Sequence, residues 1–317
     1  MNYHIGIDLG GTNIAVGIVD DACQILARGN RKTNPALGFE GLVKEIADTA
    51  WQTVADAGID RQCITSVGMG TPSCVNPRTG RLVNANNLGW INVPLQDEIQ
   101  QYFSQRVKIA NDADCAALGE ATAGAAAGYD NAIMVTLGTG VGGGIILDGK
   151  IYSGADKMGS EIGHTKLVFN GEKCSCGQRG CLEAYASATA LIRQARKAMS
   201  GDLGGMLYRL TGGNPLALEA KTVFDAARVM DRTACELLDQ YISYLAAGIS
   251  TLVVLYRPQV VVVGGGISRQ GDYLIRPLRE KLYGMTFAAK EIGIPEILAA
   301  KLGNDAGIVG AARLGYL

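Results

Sequence analysis

Four glycine turns, each entered from a short apolar run, constrain this chain more than any other feature: "DLGGTN" at 8–13, "GMGTP" at 68–72, "LGTGVGGG" at 137–144 and "VVVGGGIS" at 261–268. The apolar, often β-branched residues before each turn read as a strand. The glycines read as a bend that exposes backbone N–H groups with no Cβ in the way. The first and third turns share one grammar. Residues 3–30 run strand, glycine turn, strand, Asp20-Asp21 turn, strand, and residues 133–152 repeat strand, Gly/Thr turn, strand, Asp-Gly turn, strand. Glycine-turned hairpins are common, yet a repeated unit of this length predicts two α/β domains, each opened by one copy.

A length of 317 residues also exceeds what one core ordinarily supports. Between the repeats, residues 39–57 place Phe39, Leu42, Val43, Ile46, Ala50 and Val54 on one helical face. Strands are expected at 66–70 and 107–112, and an alanine-rich helix over 112–128. Beyond residue 186 the chain is mainly helical, with Ala234, Leu237, Leu238, Tyr241, Leu245, Ile249, Leu252, Val253 and Tyr256 in helical register. A buried strand at 259–266 follows. The tail, 304–317, reads as a helix that packs back on the first domain.

The net charge of −1 leaves no basic footprint for nucleic acid and no charged run for a membrane surface. The opening residues form a strand rather than a leader pattern, and the longest apolar tract, 245–256, is too short to span a bilayer. A cytoplasmic protein with a small-molecule partner is expected. There thiols stay reduced, so the eight cysteines are read as buried apolar groups and a metal site rather than disulfides. Cys23, Cys63, Cys115 and Cys235 fall in helix or strand patterns and are assigned to the core.

Glycine turns after strands suit phosphate oxygens. No G-x-x-x-x-G-K-[ST] is present, which excludes a P-loop. "GTGVGG" at 138–143 matches the dinucleotide fingerprint, but a strand follows it where that fingerprint opens a helix, so a nicotinamide oxidoreductase is not expected. "DLGGT" adds a carboxylate and a hydroxyl to two glycines. Asp8 could hold Mg²⁺ through water while Gly10, Gly11 and Thr12 touch phosphates, although an ordinary turn-capping aspartate would look the same. One nucleoside triphosphate between two domains accounts for all four turns together.

The richest stretch is "HTKLVFNGEKCSCGQRGC" at 164–181. His164, Cys174, Cys176 and Cys181 supply one nitrogen and three sulfurs, a donor set that tetrahedral structural Zn²⁺ takes. C-x-C-x₄-C is not the common knuckle spacing, and a redox pair or buried thiols are the alternatives. Zinc here would brace a polyol-binding wall carrying Glu161, His164 and Glu183: one imidazole nitrogen can bind metal while the other faces a ligand, and the two carboxylates could accept hydrogen bonds from hydroxyls.

Taken in order, "DLGGTN", "AND" at 110–112, "EIGH" at 161–164, "CSCGQRGCLE" at 174–183 and "VVVGGGIS" resemble the ROK family of sugar kinases and sugar-responsive repressors. The resemblance implies the actin/hexokinase-like ATPase fold, an α/β class with two α/β domains around a cleft. The expected division is 1–117 plus 304–317 for a smaller N-terminal domain and 118–303 for a larger domain with the zinc loop.

It also implies Asp112 as catalytic base, with Asn86, Asn111, Asp112, Glu161, His164 and Glu183 binding sugar. Structural zinc would sit on His164, Cys174, Cys176 and Cys181. Nucleotide contacts would come from Asp8, Gly10, Gly11, Thr12, Asn13, Gly138, Thr139, Gly140, Gly264, Gly265 and Gly266, with ATP and Mg²⁺ as cosubstrate and cofactor. Asp112 also suits the N-cap of the helix that follows it, a role compatible with catalysis.

The expected activity is transfer of the γ-phosphoryl of ATP to the 6-hydroxyl of glucose, as in glucokinase-like members. Other hexoses or N-acetylhexosamines (N-acetylmannosamine, N-acetylglucosamine, mannose, fructose, allose) and a non-catalytic sugar sensor are the alternatives. Two departures bear on this. Ser73 replaces a glycine common in the family's second turn, and Asn13 stands where many members carry lysine. The phosphate strand begins at residue 3, where repressors carry a helix-turn-helix, so DNA binding is not expected. A homodimer or higher homo-oligomer is.

Overall fold

The computed structural model describes residues 2–316, with the side chain of Asn86 outside the described set. The chain opens with β1 (Tyr3–Leu9), β2 (Asn13–Asp20) and β3 (Ile25–Lys32), and crosses by α1 (Gly38–Asp56) to β4 (Ile64–Thr71). A ribbon of β5 (Leu82–Ala85) and β6 (Trp90–Val93) and the short α2 (Leu95–Gln100) precede β7 (Val107–Asn111) and α3 (Asp112–Ala123). The second set of strands is β8 (Ala132–Leu137), β9 (Val141–Leu147) and β10 (Lys150–Tyr152). Helices α4 (Glu183–Ala186), α5 (Ala188–Ser200), α6 (Met206–Leu210), α7 (Ala220–Arg228) and α8 (Arg232–Tyr256) follow. The chain ends through β11 (Val260–Gly264), α9 (Asp272–Met285), α10 (Ala289–Ile292), β12 (Glu296–Ala299) and α11 (Asp305–Tyr316).

The repeat is visible in the sheets. One runs β3-β2-β1-β4-β7 and the other β10-β9-β8-β11-β12, the same order with a hairpin pair leading into two later strands. The chain divides into two compact units, one of residues 1–134, 143–160 and 301–317, the other of 135–142 and 161–300. The expected boundary at 117 falls inside α3, which belongs whole to the first unit.

In the first unit, strand alternation decides which elements meet. Ile5, Ile7 and Leu9 point to one face and are buried with Leu42, Val43 and Ile46 of α1. His4, Gly6 and Asp8 point to the other. There α11 lies so close that a Cβ on Gly68 of β4 would stand 1.8 Å from the Ala311 carbonyl oxygen, and one on Gly310 1.6 Å from that of Cys115. Those glycines are therefore a packing requirement. They let α3 and α11 sit directly on the strands, as the tail pattern anticipated, and they bring Asp8 beside helix backbone.

In the second unit, β11 is buried along its whole length and pairs parallel with β12. The long α8 is capped by Asp231, whose carboxylate accepts from Ala234 N at 2.9 Å, and it buries Leu237, Tyr241, Leu245 and Ile249. Tyr241 donates its hydroxyl to the Ala186 carbonyl at 2.8 Å. The whole 25-residue helix is long and apolar enough to cross a membrane, beyond what the tract at 245–256 suggested, but 61% of its most apolar window is buried in the fold. That makes it a core helix.

Three local expectations are corrected. The alanine-rich helix stops at Ala123 rather than 128, because the buried Glu120 carboxylate takes the Ala125 N–H at 2.7 Å and turns the chain at Gly124. The N-cap of α3 is Asn111, not Asp112: its side-chain oxygen accepts from Ala113 N at 2.9 Å and Asp114 N at 3.4 Å. Cys23 and Cys63 sit in turns and are only half-buried, Cys23 with φ of 59°. Cys115 is the fully buried one of the four assigned to the core.

Candidate functional site

The first unit builds one constellation at the ends of β1, β4 and β7. Asp8 pairs in register with Gly70 of β4, and a Cβ on Gly70 would lie 3.4 Å from the Asp112 backbone. The glycine face of the sheet thus carries Asp8 toward Asp112 at the first turn of α3. Burial, and then repulsion from Asp112, push the Asp8 carboxyl up to about 6. A Cβ on Gly307 of α11 would meet the Asp8 carboxylate at 2.6 Å, so α11 forms part of its wall. Two carboxylates that disfavour each other's charge are chemically suited to a divalent cation, which is the fit expected of an Asp8 magnesium site.

Asn111 spends its side-chain oxygen on the helix cap, which leaves its NH₂ as a hydrogen-bond donor. It also lines a cavity of about 230 Å³ with Cys74, Asp114, Ser153 and Lys157. The Asp112 Oδ1 accepts from Ala113 N at 2.8 Å. Ser73, the residue in place of a family glycine, accepts the Asn84 N–H at 3.4 Å through its hydroxyl. Asn86 lies in the short turn before β6; its side chain is outside the described set.

The first glycine turn closes on itself, since Gly10 N donates to the Asn13 carbonyl at 2.8 Å and Thr33 donates its hydroxyl to the Gly10 carbonyl at 2.8 Å. Asn13 folds back onto Thr12, donating at 3.3 Å. In the second unit Gly138 N donates to the Gly140 carbonyl at 3.0 Å. The turn's carbonyls are fixed by the start of α5: Ala188 N donates to Gly138 and the Thr189 hydroxyl to Thr139, at 2.9 and 2.7 Å. The N–H groups of Gly10 and Gly138 therefore serve the turns themselves. Gly264 ends β11; Gly265, with φ of 81°, and Gly266 open the turn after it, and a Cβ on Gly265 would fall 2.4 Å from the Leu137 carbonyl.

The second unit also assembles the metal-ligand set. One donor atom from each of His164, Cys174, Cys176 and Cys181 lies within 4.8 Å of every other. Cys176 and Cys181 sulfurs are 3.8 Å apart, and the Cys174 sulfur is 3.7 Å from His164 Nδ1. A tetrahedral zinc with Zn–S near 2.3 Å has S···S edges of about 3.8 Å, so the spacing fits. Lys166 donates to Cys181 at 3.1 Å and places a positive charge beside a set that would carry net negative charge with zinc bound. Gly180 allows the loop to curl, as a Cβ there would stand 1.7 Å from the Val168 carbonyl. With Nδ1 turned to the metal position, His164 Nε2 is left for a ligand.

Glu161 precedes the short turn that carries His164. Glu183 follows Cys181 at the start of α4 and is half-buried. Its Oε1 accepts from the Ser175 hydroxyl at 2.5 Å, and its Oε2 from Val141 N at 3.1 Å.

Comparison with known proteins adds to this geometry. A model of the ROK family matches residues 4–315. The chain belongs to the ROK family. A ROK relative, the glucokinase of Thermotoga maritima, is 39% identical over 98% of this chain and 96% of its own. Among solved ROK structures, the glucokinase of Streptomyces griseus in complex with glucose and AMPPNP is 34% identical, with a TM-score of 0.82 and 99% of both chains covered. The ROK hexokinase of Thermus thermophilus is 32% identical with a TM-score of 0.82, over 99% of this chain and 98% of that one. The fold is the actin/hexokinase-like one of ROK sugar kinases.

Sequence reasoning missed several groups that the structure ties together. Ser175, which stands between two of the cysteines, and the Val141 amide carry no assignment in the sequence, yet both bond Glu183. Glu120 is fully buried and receives N–H groups from Ala125, Lys301 and Leu302 at 2.7–3.1 Å. An acid inside an alanine-rich run was the available hint.

Proposed function

We propose that this chain is an ATP-dependent glucokinase, transferring the γ-phosphoryl of ATP to the 6-hydroxyl of glucose with Asp112 as general base. The observation that carries the reading is the Asp112 carboxylate at the start of α3, beside Asp8 and the Asn111 cap. It occurs in a chain similar over 99% of its length to a glucokinase solved with glucose and AMPPNP. The cap fixes the helix start and hence the carboxylate, which takes the proton of the attacking hydroxyl. Asn111 donates its NH₂ to the sugar. Glu161 and Glu183 accept from hydroxyls, His164 meets the ring through Nε2, and Asn86 is assigned to the same set.

Asp8 is the residue that would hold Mg²⁺, which when bound offsets charge on the phosphates. Gly11, Thr12, Asn13, Thr139 and Gly140, with the turn at Gly264, Gly265 and Gly266, form the phosphate-binding backbone; Gly10 and Gly138 shape it. Zinc on His164, Cys174, Cys176 and Cys181 would act as a structural brace for Glu161, His164 and Glu183. We retain 1–117 with 304–317 and 118–303 as the functional division, to be tested by limited proteolysis.

Eight free cysteines, three of them in a set that works only when reduced, support a cytoplasmic location. Exposed Val254, Leu255, Met285, Phe287 and Ile292 support self-association as a homodimer or larger oligomer, which light scattering tests. Coupled ADP release over a panel of glucose, mannose, fructose, allose and the two N-acetylhexosamines tests the activity. Turnover of another sugar at tenfold higher kcat/KM would replace glucose as acceptor; no turnover of any would overturn the kinase reading. A second reading, a broader hexokinase, is favoured by the similarity to the Thermus thermophilus hexokinase.

A further inference from the structure

Val141, the residue that leaves the second phosphate turn, is held on both sides by the elements that carry the sugar-binding side chains. Its N–H donates to Glu183 Oε2 at 3.1 Å. Its carbonyl oxygen would stand 2.0 Å from a Cβ on Gly163, the residue between Ile162 and His164. The Glu183 carboxylate presses on the turn itself, because a Cβ on Gly140 would lie 2.3 Å from Oε2. Gly140 is thus a glycine to admit this carboxylate, a different reason from phosphate contact. The other oxygen is anchored by Ser175 at 2.5 Å, with the Cys174 sulfur at 3.4 Å.

We propose that Glu183 couples acceptor binding to nucleotide binding, with Ser175 as the residue that positions it. The inference rests on the kinase reading of this site. Without acceptor, a full negative charge lies against the backbone that is to receive phosphate oxygens, and it occupies one N–H at the turn's exit. It therefore weakens nucleotide binding. Sugar hydroxyls that donate to Glu183 disperse that charge and draw the carboxylate toward the acceptor. The turn then receives phosphate more readily. By reciprocity the nucleotide tightens sugar binding by the same factor, and ATP is poorly held, and poorly hydrolysed, when no acceptor is present.

Ser175 supplies the one side-chain hydroxyl on Oε1. The thiol of Cys174 loses its proton on binding metal, so with zinc in place Ser175 is the side-chain donor that remains. Its loss lets Glu183 swing, which raises the KM for sugar while the base at Asp112 is untouched.

The test uses the full, zinc-replete chain and titration calorimetry with Mg²⁺–AMPPNP, with and without saturating 6-deoxyglucose, which lacks the accepting hydroxyl. In the parent, 6-deoxyglucose should tighten AMPPNP binding about tenfold. Glu183→Gln keeps the shape and removes the charge; without sugar it should bind AMPPNP about tenfold more tightly than the parent, with little further gain on adding 6-deoxyglucose. Ser175→Ala, at unchanged zinc content, should raise the glucose KM several-fold at constant kcat, and Ser175→Thr should restore it.

Equal AMPPNP affinity of Glu183→Gln and parent without sugar overturns the coupling, provided the parent still phosphorylates a sugar. Should Glu183→Gln fail to fold, an unchanged KM in Ser175→Ala overturns the positioning role, and absence of any 6-deoxyglucose effect on the parent overturns the coupling. Failure of the parent to turn over any sugar strikes the kinase reading instead.

Discussion

Replacing Asp8 by asparagine should make the ligand-free protein more stable while removing its use of Mg²⁺–ATP. Asp8 is held against α11 and beside Asp112, and its carboxyl is pushed from 3.8 to about 6, by burial first and by the Asp112 charge second. An acid with a raised folded-state pKa binds its proton more tightly when folded. The folded state is therefore favoured at low pH, and that advantage is lost as pH rises from the unfolded value toward about 6. Above that, the ionised group costs up to about 3 kcal/mol. Asparagine fits the same space without charge but still buries an amide, so a net gain of about 1–2 kcal/mol is expected at pH 7.5.

At about 2–4 °C per kcal/mol, this gain should raise Tm by about 2–8 °C. Calorimetry of parent and variant at pH 4 and pH 7.5 is the assay. The gain should be present at 7.5 and largely gone at 4, where the parent is protonated, and Mg²⁺ should stabilise the parent but not Asp8→Asn. A variant no more stable than the parent at pH 7.5, or equally more stable at both pH values, would refute the reasoning. In the parent, kcat/KM for Mg²⁺–ATP should fall with an acid limb near pH 6, absent from whatever residual activity the variant retains.

Asp112→Asn should reduce kcat by about 10²- to 10⁴-fold with sugar affinity within a few-fold of the parent, read by single-turnover kinetics and calorimetry; activity within about twofold places the base elsewhere. Cys176→Ser should release zinc, measured as metal per chain, and lower Tm as well as activity; a metal-free, fully active parent preparation would refute a structural zinc. Glu120→Ala leaves three backbone N–H groups unpaired in the interior and should destabilise by about 3 kcal/mol, seen as a lower urea midpoint, whereas Glu120→Gln should recover part of the loss.

What was legible in the sequence was local. Asp8 stands at a strand end beside a glycine turn, Asn111 and Asp112 stand where a strand gives way to an alanine-rich helix, and the four metal-ligand candidates are spaced within one loop, so chemistry and address coincide. The repeated strand grammar even carried the shared sheet order. Contacts between distant segments were not legible. Nothing around Glu120 names Lys301 and Leu302 as its donors, 181 and 182 residues away. The helix end was misplaced for the same reason: alanine favours continuing the helix, and only the folded position of Glu120 diverts the chain. Cys23 follows a period that suggests a strand, but the bend between β2 and β3 takes it. Glu183 stands out in the sequence as an acid flanking the cysteine loop. Its second attachment, to Val141, depends on a glycine missing a Cβ at the turn, which a sequence shows only as a glycine.

The glycine-lined seat of α11 has a bearing on biosynthesis. Translation delivers β1 and Asp8 long before α11, yet Gly307, Gly310 and Ala311 complete the wall around Asp8 and the packing of α3. Contacts so far apart in sequence form late and slowly, and the glycine face of β1 and β4 stays uncovered until then, open to chaperones or to aggregation. The Asp8 environment therefore cannot mature before α11 has been made. A nascent chain stalled before α11 emerges holds Asp112 and the glycine turns at 10–13 and 138–144 and still lacks the α11 wall of Asp8.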